Sequence, residues 1–262
     1  MKKLLTIALT LVLVCALATA SAATTLVIGA SSTPPAEILE AAKDLLAAKD
    51  ITLDIIIFDD YVQPNLQLDA GDLDANYFQH IPYLEDFCAQ HGTKLVSAGA
   101  VHDEPMGVYA APGKDRDLPA VKKGATIAVP NDATNEARAL NLLAAQGLIT
   151  LDVAAGQTAT VLDITENPKN IEVQEFEAAA VPRMLADVDL AVINSNYALE
   201  AGVDVVGTAI AVEGTDITFP NIIAIREGDD RAELKTLVEV LQSEEMVNWI
   251  TSTYGTAVCP TK

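Results

Sequence analysis

The chain has little cysteine, few aromatic side chains and a shortage of positive charge, and each scarcity excludes something. Three cysteines in 262 residues cannot staple a disulfide scaffold. No Cys-x-x-Cys pair is present, which removes a zinc ribbon or a thiol redox motif. Sixteen Lys and Arg stand against 37 Asp and Glu, a net charge of −21. Such a surface repels phosphate backbones and anionic headgroups, so nucleic-acid binding is set aside. Gly-x-Ser-x-Gly, His-Glu-x-x-His, a P-loop and a Gly-x-Gly-x-x-Gly between strand and helix are all missing, and no nucleophile–base pair stands out. An enzyme is therefore not expected, and neither a cofactor nor a metal is implied. What remains is half apolar and 20% charged, rich in Ala, Val, Ile and Leu. That composition suits a folded α/β protein of one large or two modest domains.

The first residues stand apart. Lys2 and Lys3 precede an uncharged apolar run from Leu4 to Ala16, and Ala18-Thr19-Ala20 and Ala20-Ser21-Ala22 are small-x-small cleavage sites. Residues 1–22 read as a secretory signal peptide. No later stretch reaches the ~18 unbroken apolar residues of a membrane span. Cys15 follows Val12-Leu13-Val14, a poor match to the small residues of a lipoprotein signal, so it reads as part of the apolar run, with lipid attachment at Cys15 the lesser alternative. Cys88 and Cys259 either pair in an oxidising compartment or stay as two thiols.

Beyond the leader the same plan is met twice. Thr24–Gly29 reads as a buried strand, followed by a polar loop and a helix entered near Pro35, then a strand at Ile51–Phe58, a helix at Val62–Asp69 and a strand at Leu73–Phe78. From Gly124 the order repeats: strand Ala125–Val129, helix Asn135–Gln146, extended Glu172–Phe176, helix Val181–Ala186 and strand Leu190–Asn194. Asp72-Leu73-Asp74-Ala75 is echoed by Asp187-Val188-Asp189-Leu190. Alternating strands and helices imply a mostly parallel sheet flanked by helices in each half. Two such lobes face each other across a cleft, and ligands lie outside the carboxyl ends of the strands.

Those strand ends hold much of the scarce aromatic content: Phe58, Tyr61, Tyr77, Phe78, His80 and Tyr83. Gathered there, they suggest a pocket for an apolar or sulfur-bearing side chain. Arg138 is expected in the first turn of its helix, where the free N–H groups favour an anion and the guanidinium would clamp a carboxylate. The alternative is a surface Arg paired with Glu136 or Asp132. Asn194, Asn196 and Asn221 offer amide groups to an amino-acid head. His102-Asp103-Glu104 reads as a polar connector before Pro105, not a metal cluster.

Several stretches, taken in order, resemble the NlpA family of methionine-binding lipoproteins. They are Asp60-Tyr61-Val62-Gln63-Pro64-Asn65, Leu73 to His80, Pro130 to Asn135, Glu166-Asn167-Pro168-Lys169-Asn170 and Ala191 to Ala198. The resemblance spans residues 25–258. It implies a type II-like periplasmic binding protein of two α/β lobes with a hinged cleft. Lobe 1 would comprise 23–109 and 221–262, lobe 2 would comprise 110–220, and crossover strands would lie near Met106–Ala110 and Asn221–Arg226. It implies capture of L-methionine or a close analogue for the permease and ATPase of an ABC importer, in the periplasm or cell envelope. Contact with the membrane would come only through that transporter or a lipid anchor. Carried over by residue, the side-chain pocket falls on Tyr61, Phe78, His80 and Tyr83, the carboxylate partner on Arg138, and the contacts to the amino-acid head on Asn194 and Asn221. Two segments depart from the family pattern, Ser31-Ser32-Thr33-Pro34-Pro35 and Thr218-Phe219-Pro220. They keep D-methionine, a methionine-containing dipeptide and another apolar amino acid open as ligands. A periplasmic enzyme and a surface antigen without a ligand are the rivals from other classes.

Overall fold

A computed structural model describes residues 23–261, apart from 115, 155–156, 204 and 215–218. The expected signal segment 1–22, Cys15 and Thr218 lie outside the described residues. The first half runs β1 (Thr24–Ala30), α1 (Glu37–Ala47), β2 (Ile51–Ile57), α2 (Gln63–Ala70), β3 (Ala75–His80), α3 (Ile81–His91) and β4 (Leu95–Asp103). The chain then crosses to β5 (Gly107–Ala110), β6 (Thr126–Pro130) and α4 (Ala133–Ala145). A small antiparallel pair follows, β7 (Thr150–Leu151) with β8 (Ile164–Glu166). Next come β9 (Glu172–Phe176), α5 (Val181–Met184), β10 (Leu190–Ile193), α6 (Ser195–Glu200), α7 (Val205–Thr208) and β11 (Ala211–Val212). It returns through β12 (Asn221–Arg226), α8 (Ala232–Leu241), α9 (Glu244–Tyr254) and β13 (Cys259–Pro260).

One sheet has the order β13-β4-β12-β3-β1-β2 and the other β11-β5-β10-β6-β9. In the first, β1 runs parallel to β2 and β3, and β12 is inserted antiparallel between β3 and β4. In the second, β6 runs parallel to β9 and β10, and β5 lies antiparallel to β10 and β11. The sheets are thus mixed rather than purely wound from βαβ units. The reason is connectivity. β5 and β12 each enter a sheet straight from the other half of the chain, with no helix to turn them parallel. They are the strands expected at the crossovers.

The first core forms because α1 puts Ile38, Leu39, Ala42 and Leu46 on one face, against Leu26, Ile28 and Ala30 of β1 and the Leu234, Leu237 and Leu241 side of α8. On the opposite face of this sheet, Leu68, Leu73 and Leu84 meet Ile222 and Ala224. At Gly29 an added Cβ would stand 2.6 Å from Leu73 Cδ1 and 2.9 Å from Phe58 Cε2, so both side chains would have to shift to admit it. The second half closes a core of its own around Ile127, Val129, Leu140, Leu143 and Val192.

The Asp-x-Asp echo has a structural basis. Asp74 Oδ2 accepts from the Val27 N–H at 2.8 Å, and Asp189 Oδ2 accepts from the Thr126 N–H at 3.0 Å. Each carboxylate fastens the parallel partner strand of its half, and each is neutralised: Asp74 by Arg231 (2.8 Å), Asp189 by Lys114 (3.1 Å) and Lys122 (2.9 Å). Engagement of Asp74 also explains why β3 starts at Ala75, later than Leu73. α1 begins at Glu37 because residues Ser32–Ala36 form a separate π-type turn around Pro35. Cys88 and Cys259 are both free thiols.

Burial works against the charge of Asp189, but hydrogen bonds from Lys122, Thr126 and Lys114 prevail and hold its carboxyl below the usual range. A depressed folded-state pKa gives stability that is present above the unfolded value of ~3.9 and lost as pH falls below it. Asp189→Asn keeps an acceptor for Thr126 but loses both lysines, and should cost about 1 kcal/mol at neutral pH. Asp189→Ala, which leaves the Thr126 N–H unpaired, should cost about 1–3 kcal/mol. Denaturant midpoints from pH 7 to 3 check this. Equal midpoints for the wild type and both variants would count against the fastening role.

Candidate functional site

All seven site residues expected from the sequence line one pocket. Tyr61, Phe78, His80, Tyr83, Arg138, Asn194 and Asn221 surround it together with Gln79, Glu104, Asn135, Ser195 and Asn196. The walls come from both halves of the chain: β3, α3 and the loop before α2 on one side, α4 and the start of α6 on the other.

The aromatic wall is held from behind. Asn65, Asn76 and Gln79 form a closed amide network, with Asn65 Nδ2 donating to Gln79 Oε1 (2.8 Å), Gln79 Nε2 to Asn65 Oδ1 (2.7 Å) and Asn76 Nδ2 to Asn65 Oδ1 (2.8 Å). It pins the start of α2 to β3, with its buried polar groups paired among themselves. In front, the Tyr61 ring sits 5.7 Å from both Phe78 and Tyr83 and 4.9 Å from Tyr197. The Tyr61 hydroxyl donates to Asn196 Oδ1 at 2.6 Å. Burial, then the neighbouring Tyr197 and Glu104, push the Tyr61 phenol well above its ordinary range, so it stays protonated.

His80 caps α3 by accepting the Tyr83 N–H at Nδ1 (3.1 Å). With Nδ1 an acceptor, Nε2 carries the hydrogen and donates to Asn135 Oδ1 at 3.2 Å. Burial, reinforced by the nearby Arg138 cation, lowers its pKa to about 3. Asn135 Nδ2 donates to both oxygens of Asp132, at 2.9 and 3.0 Å. A carboxylate only accepts, so the amide is fixed with Oδ1 toward the pocket. There it also accepts from Asn194 Nδ2 (2.9 Å) and Arg138 Nη1 (3.3 Å). Asn194 Oδ1 is consequently left buried with no partner, and Asn196 Nδ2 is likewise buried and unpaired.

Arg138 does not stand where it was expected. Asp132 caps the helix by accepting the Asn135 N–H, so α4 begins at Ala133 and Arg138 is in its second turn. The helix N-terminus therefore does not stand beside Arg138. Neither Glu136 nor Asp132 is its partner. Arg138 is only 6% exposed and forms a bidentate pair with Glu213, Nε to Oε1 at 3.0 Å and Nη2 to Oε2 at 2.6 Å. Nη2 also donates to the Glu104 carbonyl at 3.1 Å, and the guanidinium lies 4.4 Å over the Phe219 ring. Glu213 in turn accepts the Met106 N–H at 2.7 Å. The fork read as free for a ligand is taken by a carboxylate of the protein, and Nη1 is its pocket-facing end.

The polar connector before Pro105 is buried at His102 and Glu104. On an extended segment residues two apart share a face, and both are buried: His102 Nε2 meets Glu104 Oε1 at 2.7 Å, and Asn221 Nδ2 reaches the same oxygen at 3.2 Å. Among the described residues no group of His, Cys, Asp and Glu forms a metal site.

The family model described as NlpA lipoprotein matches residues 26–262. The chain is 42% identical over 242 residues to the methionine-binding lipoprotein MetQ of Bacillus subtilis, covering 90% of this chain and 87% of that protein. It is 41% identical over 214 residues to the D-methionine-binding lipoprotein MetQ of Salmonella typhimurium, covering 80% and 78%. A solved nutrient binding protein from Burkholderia cenocepacia, bound to methionine, superposes with a TM-score of 0.87 at 43% identity, covering 90% of this chain and 100% of that one.

His80 gives the site a pH signature. Its folded-state pKa near 3 lies below the unfolded value of ~6.5, so the unfolded chain takes up a proton first as pH falls. Its contribution to stability is complete above pH ~6.5 and is lost between there and pH ~3. His80→Asn keeps a cap acceptor and cannot titrate. The difference in unfolding free energy between wild type and variant should shrink or reverse as pH is lowered from 7 to 4, and a difference independent of pH would contradict this.

Proposed function

The chain belongs to the NlpA lipoprotein family, and from that premise we propose that it is an extracytoplasmic substrate-binding protein. It captures L-methionine or a close analogue and hands it to the permease and ATPase of an ABC importer. The observation that carries this reading is the unpaired acceptor Asn194 Oδ1 and the unpaired donor Asn196 Nδ2 in one pocket with the Tyr61, Phe78 and Tyr83 rings. A buried polar group without a partner costs free energy. An acceptor and a donor left open together suit a zwitterion, whose ammonium meets the first and whose carboxylate meets the second, with Arg138 Nη1 nearby. The aromatic wall suits a thioether, which packs against ring edges.

Binding rather than catalysis fits the same geometry. Both nitrogens of His80 are engaged, and the Ser195 hydroxyl donates to the Pro105 carbonyl at 2.5 Å rather than to a base. The expected boundary at residue 109 falls inside β5, which pairs with β10 and β11 of the second sheet, so the lobes would divide as 23–106 with 221–262, and 107–220. The site of action is the cell envelope; no helix of the described residues is long and apolar enough to cross a membrane. Cleavage at the small-x-small sites is the first reading of the leader, and lipid attachment at Cys15 is the lesser one. D-methionine is the second reading, because several relatives are named for it.

A ligand bound only by the folded protein stabilises it by RT ln(1 + [L]/Kd), about 4 kcal/mol at a thousandfold excess. Ligand-stripped protein should melt several degrees higher with L-methionine, or with D-methionine on the second reading, and should be unmoved by glutamate or lysine. An unchanged midpoint with every amino acid overturns the assignment. Arg138→Ala should weaken binding and also lower stability by about 3–5 kcal/mol, because it leaves Glu213 buried without its cation. A variant of wild-type stability would show that this pair is not intact in solution.

A further inference from the structure

A buried relay that the pocket reading leaves out ends on a carboxylate at the pocket wall. Tyr77, His102 and Glu104 are linked in series. The Tyr77 hydroxyl bonds His102 Nδ1, and His102 Nε2 bonds Glu104 Oε1 at 2.7 Å. Tyr77 and His102 have no exposed surface, and neither lines the pocket; Glu104 lines it and is 8% exposed. A carboxylate only accepts, so Nε2 carries a hydrogen toward Glu104 and Nδ1 is left to accept from the phenol. Asn221 Nδ2 donates to the same Oε1 at 3.2 Å, and the Glu104 carbonyl is held by Arg138 Nη2 at 3.1 Å. Every one of these bonds falls on Oε1 or on the backbone. Among the described residues none reaches Oε2.

The charges of the pocket sharpen the point. Arg138 is already matched by Glu213, so its cation does not balance Glu104. At the pocket Asn194 Oδ1 is buried without a donor, and among the described residues no bond within the protein reaches Glu104 Oε2. A small cation bearing several N–H donors answers both, and a primary ammonium has three.

We propose that Glu104 is the specificity-determining partner of the ligand's α-ammonium, and that His102, backed by Tyr77, is a positioning residue that turns its second oxygen into the pocket. This rests on the amino-acid-binding reading above and deepens it. It makes the protein a selector for a free α-amine as well as for a side chain. A site built to hydrogen-bond a charged donor rejects an analogue without it strongly, because its own buried acceptor is left unpaired.

The test compares L-methionine with its 2-hydroxy analogue, in which a hydroxyl replaces the ammonium, by titration calorimetry on ligand-stripped protein. Wild type should favour methionine by about 100-fold or more. Glu104→Gln is isosteric. It should weaken methionine by about 30-fold or more while changing the hydroxy analogue far less, so that the preference collapses. His102→Phe, which keeps the bulk and loses both bonds, should lower the preference by about tenfold, and His102→Gln, which retains a donor, should recover part of it. Circular dichroism and melting curves confirm that each variant is folded, and Glu104→Gln alone suffices if the buried His102 variants are not. A folded Glu104→Gln that binds methionine within about threefold of wild type, with the preference intact, overturns the proposal and leaves the methionine reading standing. A wild type that binds no compound with a free amine overturns both.

Discussion

The side-chain carbonyl of Asn135 is the fixed point of the site. Its orientation is set by Asp132, whose two oxygens both accept from the amide nitrogen and which cannot donate. That single constraint propagates. It makes Oδ1 an acceptor toward the pocket and lets His80 donate to it. It turns Asn194 so that its amide hydrogens point inward to Oδ1 and its own oxygen is left open. Reversing the Asn135 amide would set nitrogen against the Asn194 and Arg138 donors and oxygen against the Asp132 carboxylate. The same Asp132 caps α4, so the residue that starts the helix also orients the hub of the pocket. Local helix chemistry and site chemistry are one arrangement here.

Around that hub the charges are arranged in two tiers. Arg138 and Glu213 form a bidentate pair buried beneath the pocket, tied to the β4–β5 crossover through the Glu104 carbonyl and the Met106 N–H. Two opposite charges at such short distance cancel most of their field, and what they retain is geometry. His80 is kept neutral by burial and by Arg138. The pocket thus faces a ligand with oriented amides, an imidazole of fixed tautomer and the Glu104 carboxylate, rather than with a free cation.

Much of this was legible in the sequence, and the boundary between what was and was not is physical. Strands and helices of both halves follow from apolar periodicity, and the crossovers near Met106–Ala110 and Asn221–Arg226 appear as β5 and β12. Seven named residues converge on one pocket because strand ends and helix starts of two α/β units meet there. What misled was partnership. The Asp132 cap starts α4 at Ala133, two residues ahead of the expected Asn135, and so moves Arg138 from the first turn to the second. Glu213 lies 75 residues from Arg138 in sequence, and nothing local marks the pair. His102 and Glu104 carried a usable signal, alternate positions on an extended segment. Without knowing which face is inward, the run reads only as a polar connector.

The side chains that line the pocket also join the two halves of the molecule. Tyr61 reaches Asn196, His80 reaches Asn135, and the Tyr197 hydroxyl donates to the Asp59 carbonyl at 3.2 Å, beside the packing of Tyr61 on Tyr197. Neutral hydrogen bonds of this kind contribute about 0.5–1.5 kcal/mol each, and bonds to a charged group about 1.5–3 kcal/mol. A ligand that gives a charged donor to the open acceptor and a charged acceptor to the open donor therefore contributes as much as all the polar bonds just named. The walls cannot be tuned for a new ligand without altering what joins them. Recognition and the joining of the two halves draw on the same few atoms, and the unpaired ones, Asn194 Oδ1 and Asn196 Nδ2, stand at the seam where a bound head group would act on both.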